Sequence, residues 1–276
     1  MAVKYLAGDR LIGTAAERAA LSPFVWTQLV GTSTSDTFYI LEDTGNDMID
    51  IKNAGNSGAD GSPSIAYATL SSTLSSSSWL IRFKLVINTI TAESTGGKSF
   101  YTNFGFVDSG TSASGTGSEN GFRFKFIADA GSAQTQFYSS TSGSDSGTSM
   151  GFTPTATTIY VQISYSSGTA TANFYTDSGF STGTGTANVT RSGTFSGIKY
   201  PQIGLRQDNG GNGVMEYEMS ELKIWDGTTS SSGTPTHGGS SILSVHPNLT
   251  NGTLFEESDT GKHYMFDGTS TWNEIT

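Results

Sequence analysis

The chain contains no cysteine and only 6 prolines among its 276 residues, and charged residues make up only 14% of it. The absence of cysteine excludes disulfide bonds and thiol catalysis within this sequence. No basic run occurs and the formal net charge is −10, which argues against nucleic acid and anionic membranes as partners, because both attract clustered Lys and Arg. No apolar run approaches the roughly 20 residues that a membrane-spanning helix needs, so membrane insertion is not expected.

The abundant residues are Gly, Ser and Thr, and Gly alone accounts for 35 positions. Strong helix formers are scarce, whereas Thr, Val, Ile, Tyr and Phe favour strands and Gly, Ser, Asn and Asp favour turns. This composition predicts an all-β protein. The N-terminal residues lack the apolar stretch of a signal peptide, so the sequence gives no support for ordinary secretion.

Residues 34–227 contain about a dozen short apolar or alternating runs separated by turn residues. Apolar and polar side chains alternate with a period of two at residues 122–126 and 158–165, which is typical of half-buried antiparallel strands. So many short strands in one region predict a two-sheet antiparallel jelly-roll sandwich.

The sandwich is flanked by two terminal regions. Residues 1–33 form an N-terminal arm, in which a Thr-x-x-Glu capping box at 14–17 predicts a helix of about two turns. Residues 228–241 form a Gly/Ser-rich segment that we interpret as a flexible linker, and residues 242–276 predict a small β-meander. Each terminal segment is too small to be stable alone, so each must pack either on this chain or on a neighbouring subunit.

The final strand of the predicted sandwich, VMEYEMSELKIWDG at 214–227, combines acidic residues, alternating apolar residues and an aromatic before Asp-Gly. Together with the order of the strands over about 36–227, it resembles the concanavalin A-like lectin/glucanase superfamily and more narrowly its laminin G-like domains. The resemblance implies a curved two-sheet sandwich. It also implies glycan binding on the concave face or its rim loops, with calcium bound in many members.

The terminal segments carry a second resemblance. KYLAGDR at 4–10, GTAAER at 13–18 and FEESDTGKHY at 255–264 are similar to the ends of structural proteins of marine phages and environmental viruses. This similarity implies a location on a virion surface or in another extracellular assembly. The N-terminal helix and the C-terminal meander would then be docking elements for self-association as a homo-oligomer, with a trimer as one form.

The spacing Glu216-x-Glu218-x-x-Glu221 is similar to the Glu-x-Asp-x-x-Glu motif of β-glucanases, in which the outer carboxylates serve as nucleophile and acid/base. The central residue here is Glu rather than Asp. Glu216 and Glu221 would also lie on opposite faces of a regular strand, so a bulge would be required. The alternative is a solvent-facing strand without catalysis.

Two loops are rich in the oxygen ligands that calcium prefers. The predicted ligands are Asp43, Asp47, Asp208 and Asn209. Neither loop matches an EF-hand, and the same residue types form ordinary turns.

Glycan binding commonly uses an aromatic ring that packs on a sugar, with planar amide or guanidinium groups that donate hydrogen bonds. The predicted glycan-binding residues are Tyr101, Asn103, Arg123, Arg206 and Gln207. Further candidates are the rings of Tyr138 and Tyr175 and the amide of Gln162. Each of these side chains could instead be part of the core or an ordinary sheet surface.

Three functions remain open from the sequence. The favoured hypothesis is a non-enzymatic glycan-binding or surface-decoration module, with carbohydrate and other copies of this chain as partners. The alternatives are a polysaccharide-cleaving glycoside hydrolase of the same fold and a capsid or fibre subunit without a ligand. The fold alone does not decide among them.

Overall fold

The computed structural model describes most of the sandwich and parts of both termini. The described residues are 4–6, 10–15, 18, 26–29, 38–43, 48–54, 64–70, 72–91, 99–109, 120–129, 132–141, 144–150, 157–185, 188–193, 195–207, 214–233, 235–238, 252–267 and 271–275. Regular structure in these ranges is almost entirely β-strand, which confirms the all-β prediction. Of the predicted N-terminal helix, Ala15 and Arg18 have helical backbone conformation. None of the helical residues described belongs to a helix that is long and apolar enough to cross a membrane.

Twenty strands are described, and they are numbered here in chain order. Their bounds are β1 (Lys4–Leu6), β2 (Arg10–Gly13), β3 (Trp26–Leu29), β4 (Phe38–Asp43), β5 (Met48–Ala54), β6 (Ser64–Ala68), β7 (Ser78–Thr91), β8 (Ser99–Val107), β9 (Gly121–Asp129), β10 (Ser132–Thr141), β11 (Ser144–Ser149), β12 (Thr157–Ser166), β13 (Thr169–Tyr175), β14 (Val189–Ser192), β15 (Tyr200–Gln207), β16 (Val214–Asp226), β17 (His237–Gly238), β18 (Leu254–Glu257), β19 (His263–Phe266) and β20 (Trp272–Ile275).

Two large antiparallel sheets form the sandwich. The eight-stranded sheet has the order β14-β13-β12-β7-β16-β5-β4, with β17 paired to β16, and the seven-stranded sheet has the order β11-β10-β9-β8-β15-β6-β3. The chain crosses repeatedly from one sheet to the other, as it does from β6 to β7 and from β7 to β8. This arrangement confirms the predicted two-sheet jelly roll.

Aromatic side chains fill the space between the two sheets. The Trp79 ring on β7 stacks on Phe122 from the opposite sheet, with 4.9 Å between ring centroids, and on Tyr165 of its own sheet at 5.0 Å. Phe83 contacts Phe104 across the interface at 5.0 Å. Burial along β12 alternates strictly, as the period-two sequence pattern predicts. Consequently the β12 residues between the buried ones lie on the outer face of the eight-stranded sheet.

Strand β16 contains a β-bulge, which the Glu-x-Glu-x-x-Glu motif would need to place Glu216 and Glu221 on the same face. Its pairing with β7 shifts register between Ser220 and Lys223, and Glu221 has a φ of 56°, in the left-handed region that non-glycine residues rarely adopt. Such a bulge adds a residue to one strand and interrupts the alternation of its faces.

The chain ends form a third sheet with the order β1-β2-β18-β19-β20. The predicted C-terminal meander corresponds to β18, β19 and β20, which pair antiparallel in sequence order. The N-terminal arm and the meander are not separate units, because β2 pairs in parallel with β18.

The segment 228–241, predicted as a flexible linker, is partly held against the sandwich. The Trp225 indole donates to the carbonyl of Gly233 at 3.1 Å, and the amide of Thr236 donates to the carbonyl of Ile224 at 2.7 Å. His237 pairs with Ile224 in β17. Burial lowers the pKa of His237, and the nearby charge of Asp226 partly opposes that shift.

A buried ion pair links the helical residues to the terminal sheet. Arg18 Nε lies 2.6 Å from Glu257 Oε1, and the Glu257 side chain is only 1% exposed. The Arg18 guanidinium also lies 3.7 Å from the centroid of the Tyr264 ring. In addition, the amide of Ala15 donates to the carboxylate of Asp259 at 3.0 Å. These contacts join residues more than 230 positions apart.

We predict that Glu257→Gln destabilises the terminal sheet by about 2–3 kcal/mol, because removal of one charge leaves the partly buried guanidinium without its counter-charge. The matched control is Glu274→Gln, which removes the partner of Lys262 in an exposed pair of the same sheet and should cost at most about 0.5 kcal/mol. Hydrogen exchange of the β2 and β18 amides, with urea unfolding, measures both effects. Equal effects of the two substitutions would contradict the role of the buried pair.

Candidate functional site

Among the described residues, an apolar cavity lies between the two sheets, and it is small. An apolar cavity between the sheets, lined by Phe83, Phe104 and Val161 among others, has a volume of about 10 Å³, which is space for about one water molecule. This cavity is therefore too small for a sugar or another organic ligand.

A buried arginine lies on the outer side of the seven-stranded sheet. Phe122 and Phe124 belong to the core, and Arg123 between them extends away from it. Despite this direction Arg123 is only 1% exposed. A buried guanidinium is tolerated only when its donors are hydrogen-bonded.

Arg123 joins a hydrogen-bonded network that spans neighbouring strands. Its Nη2 donates to Gln202 Oε1 at 3.0 Å and its Nη1 lies 3.3 Å from Ser140 Oγ. Gln202 Nε2 lies 3.3 Å from the carbonyl of Ser109. Gln202 and Ser140 are themselves buried. The network therefore holds a guanidinium and a carboxamide in defined orientations, because each is bonded on more than one side.

Glycine at position 105 makes this network possible. In the register of β8, Gly105 lies opposite Arg123 on one side and Gln202 on the other. A Cβ at position 105 would lie 2.3 Å from Arg123 Cγ and 2.3 Å from the carbonyl oxygen of Phe122. The Arg123 side chain can thus cross β8 towards β15 only because this position has no side chain.

Tyrosine rings lie on both sides of the network. Tyr138, opposite Arg123 in the register, is buried and has the Lys125 ammonium 6.0 Å from its ring centroid. Tyr67 lies opposite Gln202, and its ring meets that of Tyr200 edge to face, with 5.8 Å between centroids. Lys125, Tyr67 and Tyr200 are half-buried, so they remain accessible around the buried centre.

The register places four of the predicted glycan-binding residues on neighbouring strands of this sheet. Tyr101 pairs with Arg206, and Asn103 lies two residues before Gly105 on β8 and opposite Lys125. Gln207 pairs with Phe100 at the end of β15. The side chains of Tyr101, Asn103, Arg206 and Gln207 lie outside the described part of the structure.

Five members of this site were not predicted from the sequence: Gln202, Ser140, Lys125, Tyr67 and Tyr200. The polar–apolar alternation of β15 and β9 could have placed Gln202 and Lys125 on an outer face. It could not have placed Gln202 beside Arg123, because strand neighbours are decided by the fold.

Of the four predicted metal residues, one lies in the described part of the structure. Asp43 is the last residue of β4, whereas Asp47, Asp208 and Asn209 lie outside the described residues. Within the described ranges no group of three His, Cys, Asp or Glu residues could hold a metal ion.

The three carboxylates of β16 belong to the other sheet. Tyr217, Met219 and Leu222 are core residues, so Glu216, Glu218 and, because of the bulge, Glu221 all lie on the outer side of the eight-stranded sheet. Glu218 Oε1 accepts a hydrogen bond of 2.7 Å from Asn88 Nδ2. In a regular strand Glu216 and Glu221 would lie on opposite faces. The bulge places them on the same face.

No protein-family model matches the chain, and no curated protein matches its sequence. Solved structures with a similar fold include the alginate lyase from Klebsiella pneumoniae, which is 11% identical. That comparison covers 78% of this chain and 99% of the lyase, with a TM-score of 0.43.

Two lectin-type structures give comparable matches. The legume lectin-like domain from Entamoeba histolytica is 10% identical, covering 82% of this chain and 100% of that domain, with a TM-score of 0.45. The exoplasmic/lumenal domain of VIP36 in its Ca²⁺/Man-bound form is 8% identical, covering 76% of this chain and 86% of that one, with a TM-score of 0.44. At these identities the likeness concerns the β-sandwich alone.

We predict that Gly105→Ala destabilises the sandwich by about 2–3 kcal/mol, because the new methyl group overlaps the Arg123 side chain and the Phe122 backbone. Gly183→Ala is the matched control, since a Cβ there would meet only the Phe174 carbonyl at 3.9 Å; it should cost less than about 1 kcal/mol. Urea unfolding of both variants measures the difference. If the two variants were equally stable, Gly105 would have no special role in placing Arg123.

Proposed function

We propose that this protein is a non-enzymatic carbohydrate-binding module and that it binds its ligand on the outer face of the seven-stranded sheet. The observation that carries the proposal is the Arg123–Gln202–Ser140 network, fixed between tyrosine rings on both sides. The buried network fixes the side chains around it, and the half-buried rings of Tyr67 and Tyr200 supply area for the C–H faces of sugars at a small cost in conformational entropy. A pre-organised face of this kind suits binding rather than a reaction.

The charge of this face favours an acidic glycan over a neutral one. Lys125 is an accessible cationic group on this face, in a chain of net charge −10, and Arg206 lies nearby in the register; the buried Arg123 adds positive charge beneath the surface. Binding that depends on these groups should weaken as salt rises, because exposed charges are screened.

A location on a virion or another extracellular surface stays a prediction, as does self-association through the terminal segments. Calcium also belongs to this proposal, through Asp43, Asp47, Asp208 and Asn209. A chelator tests it directly, since a calcium-dependent ligand site loses affinity when the ion is removed.

The proposal predicts binding to one class of glycan on a broad array that contains neutral and acidic sugars, with calcium and again with a chelator. Lys125→Gln and Tyr200→Ala should each weaken that binding about tenfold, a loss of about 1.4 kcal/mol. The control is Lys262→Gln, which removes the same charge from an exposed position on the terminal sheet. If the parent protein bound no glycan with calcium or with the chelator, the proposal would be refuted and a structural subunit without a ligand would be favoured.

A second candidate function is hydrolysis of a polysaccharide by Glu216 and Glu221. The bulge at Glu221 favours it, because that irregularity puts both carboxylates on one face of β16. In this case the parent protein should release reducing ends from β-glucan.

The activities of the Glu216→Gln and Glu221→Gln variants should each fall at least about 100-fold, because one carboxylate would act as the nucleophile and the other as the acid/base. Glu256→Gln, on the remote terminal sheet, is the control. A parent protein without activity would eliminate hydrolysis as a function.

A further inference from the structure

A second cluster of cationic and aromatic groups lies on the outer face of the eight-stranded sheet, opposite to the Arg123 network. Arg82, on the central strand β7, donates from Nε to Gln162 Oε1 at 2.7 Å. Its guanidinium carbon lies 4.2 Å from the centroid of the Phe180 ring and 5.9 Å from that of Trp225. An arginine between aromatic faces is held in a narrow range of orientations.

The Phe180 ring reaches this position through a tightly organised turn. The Asp177 carboxylate accepts hydrogen bonds from the amides of Gly179 at 3.0 Å and Thr182 at 2.6 Å. The bond from Thr182 is the main reason why the pKa of Asp177 is lowered. Phe180 itself has a φ of 55°, which is strained for a bulky side chain.

This turn builds an aromatic surface beside Arg82. The Phe180 ring centroid lies 5.9 Å from that of Tyr160 and 5.6 Å from that of Tyr175, both in edge-to-face geometry. All three rings are half-buried rather than enclosed. The left-handed backbone at Phe180 therefore places its ring beside Tyr160 and Tyr175, and the three half-buried rings lie on one side of the sheet.

The β-sheet register arranges polar groups in two rows across this face. The first row is Asn173, Gln162, Arg82 and Lys223, on β13, β12, β7 and β16. The second row is Tyr175, Tyr160, Lys84 and Ser220 on the same four strands. Four neighbouring strands span about 14 Å, so each row is long enough to contact an extended ligand rather than a single ion.

The first row places like charges beside each other. Arg82 and Lys223 are direct partners across β7 and β16, an arrangement that is unfavourable without a counter-charge. Among the described residues, neither cation forms an ion pair, and no acceptor contacts Arg82 Nη1 or Nη2. Burial lowers the pKa of Arg82, yet a guanidinium remains charged at neutral pH. Glu221 also lies on this side of β16, without an ion pair to either cation within the described ranges.

We propose that this face is a second ligand site and that it binds a sugar chain carrying carboxylate or sulfate groups. The Nη1 and Nη2 atoms of Arg82, which no described acceptor contacts, present the planar fork that pairs with a carboxylate or sulfate, and Lys223 neutralises further charge. The Gln162 and Asn173 amides bond hydroxyl groups, and a sugar ring packs on Tyr175 and Phe180. This site uses none of the side chains assigned to the first face, so the two proposals stand separately.

Isothermal titration calorimetry with the full chain tests the proposal. The probes are galacturonate oligomers, sulfated galactose oligomers and neutral galactose oligomers of equal length. The expected result is binding of at least one acidic probe and at least tenfold weaker binding of the neutral one. The two acidic probes distinguish a carboxylate site from a sulfate site. Failure of the parent protein to bind either acidic probe would overturn the proposal.

Substitutions locate the binding. Arg82→Gln should weaken binding of the acidic probe more than tenfold. Lys223→Gln and Phe180→Ala should each weaken that binding about fivefold. Lys262→Gln, with the same change of charge elsewhere, should have no effect. Lys223→Gln keeps the test valid if Arg82→Gln disturbs folding, because the Lys223 side chain is half-buried and forms no ion pair among the described residues.

The Lys125→Gln variant separates this site from the first face. If the Lys223 and Phe180 variants lost binding of the acidic probe while the Lys125 variant kept it, the second site would be established even if the first face bound nothing. Loss in the Lys125 variant alone would overturn the second site and assign the binding to the seven-stranded sheet.

Discussion

The stacking of Trp79 between Phe122 and Tyr165 is the contact on which the rest of the sandwich depends. It joins the two sheets at the centre of the core. Because successive strand residues point to opposite faces, burial of these rings also sets the direction of their neighbours. Arg123 follows Phe122 directly and therefore lies on the outer face of its sheet, and Arg82 is set in the same way by Ile81 and Phe83. Core packing thus produces both candidate binding faces.

The arginines of the two faces differ in burial and in hydrogen-bond partners. The guanidinium of Arg123 is enclosed and bonded to neutral oxygens of Ser140 and Gln202, so it contributes mainly by fixing the groups around it. Arg82 stays half-buried between aromatic rings, with Lys223 as its neighbour. A ligand can reach the second arginine directly, whereas the first acts through the tyrosines and Lys125 around it. The same residue type therefore supports a rigid scaffold on one sheet and an accessible cation on the other.

Irregular backbone is concentrated on the eight-stranded side of the described structure. Phe180 and Glu221 both have left-handed conformations, and each places its side chain on the outer surface of that sheet. A regular strand would have put Glu221 in the core, where its charge would be unpaired. The terminal sheet is stabilised differently, by the Arg18–Glu257 pair, which couples the two ends of the chain and makes neither end an independent unit.

Local pattern in the sequence was sufficient to predict the all-β class, the alternation of β9 and β12, the C-terminal meander and the outward direction of Arg123. These features depend on the period of two and on turn chemistry, which act over a few residues. Only the tertiary structure decided which strands are neighbours: Gln202 beside Arg123, Lys223 opposite Arg82, and β2 along β18. Such pairings join positions up to 244 residues apart. They follow from the packing of whole sheets, which no short stretch of sequence encodes.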